Sequence, residues 1–170
     1  QGAEDDHVGL TPLHTAALHG QADLCGSLIA AGLQVEARTA EGVTPLHLAV
    51  YHGHKAVAKL LLEHGAGAEA LDGNSSTPLH AAANAGHVEL CGLLLDAGAH
   101  IDAKDYHGWA PLHLSAQEGR LEASAFLLDR GASVAAGNAK LITALHLSAA
   151  RGHVEVAALL LRWGAPVESL

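Results

Sequence analysis

Apolar residues along the chain fall in short helical stripes, parted by polar breaks that carry glycine. Leu46, Ala49 and Val50 stand at i, i+3 and i+4 and give one helix a single apolar face. Thr44 before them can cap that helix through its hydroxyl, and Pro45 suits the first helical position, where no amide donor is needed. Gly53 ends the helix. A second begins near Lys55, carries Val57, Leu60 and Leu61 on its inner face and stops at Gly65. Two helices this short cannot bury their faces alone, so the pattern predicts an all-α repeat solenoid in which one pair stacks on the next.

The same phrase returns at a fixed interval. Thr11-Pro12-Leu13-His14 recurs at Thr44–His47, Thr77–His80, Ala110–His113 and Thr143–His146, each 33 residues on. The chain divides into five units, 6–38, 39–71, 72–104, 105–137 and 138–170, within one domain spanning 1–170. Five in-phase copies resemble the ankyrin repeat family, whose unit has this length and signature. The resemblance implies stacked helix-turn-helix units joined by short hairpin-like fingers; the sequence itself contributes turn-prone runs such as Asp105–Gly108. It also implies that partners are gripped by the finger tips and by the exposed side of each first helix. On the helices those positions are Tyr51, His52, Asn84, Gln117, Glu118 and Arg151, and on the fourth finger Tyr106, His107 and Trp109. Trp109 shares a mostly apolar column with Leu10, Val43, Ser76 and Ile142, so part of its role is packing. Tyr106 has His7, Ala40, Gly73 and Ala139 as counterparts, and nothing in the repeat demands an aromatic there.

Comparison among the five units separates scaffold from surface. The column His14, His47, His80, His113 and His146 never changes. Stacked helices lie roughly 8–10 Å apart, too far for adjacent imidazoles to share a zinc ion with bonds near ~2 Å. These histidines are expected to tie each turn to neighbouring backbone, as are His54, His87 and His153. The run Tyr51–His54 lacks a third or fourth ligand at a convincing spacing. Cys25 and Cys91 share a column two units apart, beyond the ~7 Å reach of a disulfide, and read as small buried residues. Phe126 aligns with Leu60, Leu93 and Leu159 and is assigned to the core. Gly26 and Ser27 make the first unit's second helix more polar, as a capping unit requires. The last unit keeps Val156, Leu159, Leu160 and Leu161, as if the array continued or another element covered it. Leu141 replaces the finger glycine there and Ala144 the helix-opening proline, so the fifth finger is expected to be the least regular.

Composition narrows the function. The formal net charge of −9 argues against a nucleic-acid backbone as partner. Glu36, Glu69, Asp102 and Glu168 form a ladder of carboxylates. One reading has it steer a partner that bears a basic patch, and the other has each carboxylate bond local amides. No apolar run reaches the ~18 residues that span a bilayer. Two cysteines suggest a reducing compartment, hence an intracellular protein, cytoplasmic or nuclear. Gln1 opens the chain without an initiator Met, as expected of a processed or excised piece. The sequence offers no nucleophile elbow, phosphate-binding glycine loop or zinc spacing, so neither catalysis nor a cofactor is expected. A monomeric module that binds another protein or peptide is the leading reading, and a structural spacer or assembly arm the alternative.

Overall fold

A computed structural model describes residues 9–167. Its helices come in pairs: α1 (Pro12–Leu18) with α2 (Ala22–Ala30), α3 (Pro45–Tyr51) with α4 (Lys55–Glu63), and α5 (Pro78–Ala85) with α6 (Val88–Asp96). Then follow α7 (Pro111–Gln117) with α8 (Leu121–Asp129) and α9 (Ala144–Ala150) with α10 (Val154–Arg162). Each first helix packs on the first helix of the next pair, and each second helix on the next second helix, so the molecule is two layers of parallel helices built pair by pair. Among the described residues there is no named strand, only one isolated bridge between Gly137 and Thr143.

The first helices begin as their sequence requires. Thr44 is extended (φ −95°, ψ 163°), its Oγ1 accepts from the His47 amide at 3.3 Å, and Pro45 takes the first helical position. His47 completes a reciprocal cap, since its Nδ1 accepts from the Thr44 amide at 3.2 Å. Thr11 with His14 and Thr77 with His80 repeat this arrangement. At α7 the capping residue is Ala110, which has no side-chain acceptor, so only the half supplied by His113 Nδ1 survives, at 3.0 Å.

Leu46, Ala49 and Val50 are wholly buried, as are Val57, Ala58 and Leu61 on the partner helix. Leu60 lies beside this face, partly buried. Phe126 corrects the sequence assignment in the same way: it packs at the edge of the core rather than inside it. Its ring fills the space above Gly92, where a Cβ would come within 3.3 Å of it, and the Arg130 guanidinium lies 5.6 Å from the ring centre. Cys25 and Cys91 are buried and unpaired, and burial pushes the Cys91 thiol up to about 12.

Candidate functional surface

The buried histidines set the frame on which any surface must be built. His14, His47 and His80 each turn Nε2 toward a carbonyl on the next finger, those of Val43, Ser76 and Trp109, at 2.9, 3.0 and 2.8 Å. A carbonyl only accepts, so Nε2 carries the proton; Nδ1 faces the capping residue's amide and must be bare. One neutral tautomer satisfies both ends. Burial accordingly holds all three imidazoles, and that of His113, below their ordinary pKa. His113 reaches Ala136, on the nearer arm of the fifth finger, at 2.8 Å.

A second set of side chains fastens each unit to the one before it. His54, His87 and His153 bond the carbonyls of Leu18, Tyr51 and Gln117 at 2.8, 3.0 and 2.9 Å. Arg120 makes the equivalent bond through Nε to Asn84 at 3.1 Å. Each ring or guanidinium lies over a glycine of the preceding unit; a Cβ on Gly20 would stand 2.5 Å from the His54 ring, so that glycine is required by contact as well as by its φ of +71°. These bonds hold the last turn of each first helix, where Tyr51, Asn84 and Gln117 sit.

The fingers are fixed by their own chemistry. Asp105 Oδ1 accepts from the amides of His107 and Trp109, both at 2.9 Å, and the Asp105 amide donates to the Trp109 carbonyl at 3.0 Å. Asp72 and Asn138 build the same turn in their fingers. Neighbouring fingers join through Gly73 N to Glu41 O at 2.7 Å and Tyr106 N to Asn74 O at 2.8 Å. The fifth finger keeps its turn, with Leu141 held at φ +60°, but the chain around it departs from the other fingers as its sequence leads one to expect: His113 bonds Ala136 where the pattern of His14, His47 and His80 leads to Ile142, and the isolated bridge between Gly137 and Thr143 lies here.

On this frame Tyr106 projects with 79 % of its surface exposed, its ring edge-to-face with His107 at 5.5 Å and 81°. Tyr51 and His52 form a matching pair at 5.2 Å and 81° on α3. Both members of each pair are exposed. The two pairs sit two units apart and make no ring contact with one another. Trp109 turns inward: it is half-buried, its ring lies 5.2 Å from that of His113, and its carbonyl holds His80. Asn84 and Gln117 are half-buried, whereas Glu118 and Arg151 are exposed. The sequence reading passed over Arg120, which serves the joint, and noted Leu141 as an anomaly of its finger without naming it as a contact, though it is 69 % exposed at the tip. Leu141 had a signal, since a leucine in a glycine column has no scaffold role.

The carboxylate ladder is engaged in structure. Glu36, Glu69 and Asp102 accept from the amides of Gly67, His100 and Ser133 at 2.8, 2.7 and 3.0 Å, while Glu168 lies outside the described residues. Among the described residues, no three His, Cys, Asp or Glu side chains are placed to hold a metal ion. None of the helices described is long and apolar enough to cross a membrane.

A family model described as ankyrin repeats (3 copies) matches residues 1–72 and 64–138, and one described as ankyrin repeat matches residues 141–170. A search of curated proteins finds no match.

Proposed function

The chain belongs to the ankyrin repeat family, and from that premise we propose that it is a non-catalytic module that binds a partner protein or peptide through its finger tips and the exposed side of its first helices. Binding other proteins is what ankyrin repeats generally do. The observation that carries the reading here is the Tyr106–His107 pair. An aromatic residue stands exposed at a position that asks for none, on a finger held by Asp105 and by the bond to Asn74. A rigid aromatic tip offers contact area with little conformational entropy left to lose. Tyr51 with His52 forms a second contact point. Asn84, Gln117, Glu118 and Arg151 extend the surface, and Trp109 supports it from beneath.

The test compares proteins retained by the wild type with those retained by a Tyr51→Ala/Tyr106→Ala/His107→Ala variant, with melting temperature as control. Loss of specific partners at unchanged melting supports recognition by these residues. Retention of every partner overturns it and favours the spacer reading. Trp109 is left intact because truncating it would disturb His113.

A further inference from the structure

Where the last turns of α1 and α3 lie side by side, four imidazoles gather. His54 bonds the carbonyl of Leu18, the residue before His19, and His87 bonds that of Tyr51, the residue before His52. The joints between units therefore bring all four rings to one place. His19 and His52 share a register position one unit apart, at the C-terminal caps of α1 and α3. Both are exposed, whereas His54 and His87 are half-buried. The rings of His52 and His54 stand nearly parallel, with 6.4 Å between centres and 22° between planes. The free nitrogens belong to the two exposed rings. His54 and His87 spend Nε2 on the joint and lie over Gly20 and Gly53. His19 Nδ1 donates to the Thr15 carbonyl at 2.9 Å, which leaves Nε2 bare in the neutral ring. Among the described residues the His52 ring makes no hydrogen bond; it meets the rings of Tyr51 and His54.

Among the described residues no carboxylate answers these rings. The elements packed on α3 are α1, α4 and α5. α1 and α5 carry no acid, only the buried His14 and His80. α3 itself adds the buried His47, and α4 brings Lys55, Lys59 and, in its last turn, Glu63. Beyond them, Glu89 on α6 is bound to Lys55 at 2.9 Å, Asp23 lies on α2, and Glu41 sits on the finger at the opposite end of α3. Along the register column of His19 and His52 the next residues are Ala85, Glu118 and Arg151, so its first carboxylate stands two units beyond His52. Partial burial, then the like charges of His54, His19 and His87, hold the His52 imidazole below its ordinary pKa.

We propose that the ends of α1 and α3 form a pH-gated docking site for an acidic segment of the partner protein, with His19 and His52 meeting its carboxylates and Tyr51 as the apolar wall. This rests on the reading of the first-helix ends as part of the binding surface. The formal net charge of −9 disfavours such a segment over the rest of the chain, so the imidazole cluster decides where it lands. The charge is the reverse of the basic patch suggested by the carboxylate ladder, whose described members are engaged by local amides. A bound carboxylate favours the protonated imidazole, so the complex holds more protons than its separated parts, and affinity rises as the pH falls. Protonation leaves the joints intact, because Nε2 of His54 and His87 remains a donor in either state.

Fluorescence anisotropy of a labelled oligoglutamate peptide, read on either side of pH ~6.5 with circular dichroism as the control for folding, tests it. Wild-type affinity should rise about tenfold per pH unit of acidification for each proton taken up by the complex. A His19→Gln/His52→Gln variant should lose that gain. A His64→Gln/His100→Gln variant, which removes two exposed imidazoles elsewhere, should keep it. In the wild type, the nuclear magnetic resonance signal of the His52 ring should titrate at a higher pH with the peptide than without it. Absence of binding on both sides of that pH, an affinity independent of pH, equal losses in the two variants, or a His52 titration indifferent to the peptide overturns the proposal. The reading on which it rests is tested separately, by capture of partners at neutral pH. Partners lost there from the Tyr51→Ala/Tyr106→Ala/His107→Ala variant, beside a pH-independent oligoglutamate affinity, would sink the acidic segment and leave the surface standing.

Discussion

Leu141 illustrates a single residue working against its backbone. It replaces the glycine of Gly9, Gly42 and Gly108 yet keeps their left-handed conformation, at φ +60°. A residue with a Cβ gives up roughly 1–2 kcal/mol in that region. Most of the Leu141 side chain is in solvent, so little burial offsets the cost. Leu141→Gly should therefore stabilise the protein by about 1 kcal/mol, measured by urea denaturation. If the leucine is held for recognition, the same change weakens partner binding while raising stability. The sequence marked this position as anomalous and led to an irregular finger; the departure falls beside the turn, where His113 bonds Ala136, and not in the turn itself. The turn survives because Asn138 fixes it from the other side, through two amide bonds that column comparison does not reveal.

At the scale of the element, α7 is the first helix whose capping residue, Ala110, carries no side-chain acceptor, so its cap is half made. Thr44 and Thr77 fit into equally buried sites, so the pocket around Ala110 has a threonine-shaped precedent in the same fold. Ala110→Thr should restore the bond to the His113 amide and add about 1 kcal/mol of stability, and Thr77→Ala should remove about as much. Hydrogen exchange at the first turn of α7 would localise the gain. Helix positions and the period were legible in the sequence, because Thr-Pro starts, glycine stops and apolar spacing are local signals. The joints were legible only in part. The histidine column announced a bond to backbone, but Arg120 shares the role of His54 by donor geometry rather than by residue type. Phe126 was misplaced because a column of leucines records contact with the core and not depth within it.

Across the whole molecule, the repeated tautomer couples stability to pH. His14, His47, His80 and His113 each present a bare Nδ1 to an amide donor, so protonation there loses a bond and sets a cation against an N–H. Burial lowers their folded pKa below the unfolded value, so the unfolded chain binds more protons as the solution is acidified. The stabilisation is complete above pH ~6.5 and is lost as the pH falls through the lower folded values. Each histidine contributes up to about 1.4 kcal/mol per pH unit in that window. Denaturant midpoints should therefore fall steeply between neutral and mildly acidic pH, and a midpoint independent of pH would contradict this account. Units linked only to their neighbours can also open one at a time from an end. The indole of Trp109, set against the ring of His113, supplies an internal optical gauge of such opening. Opening of the fourth unit takes this indole out of its half-buried site and changes its emission. Once Trp163 is replaced by Phe, emission therefore reports the packing around His113 in the fourth unit while ellipticity reports every helix at once. Where the two signals part during acidification, the stack is coming apart by stages and not as a whole.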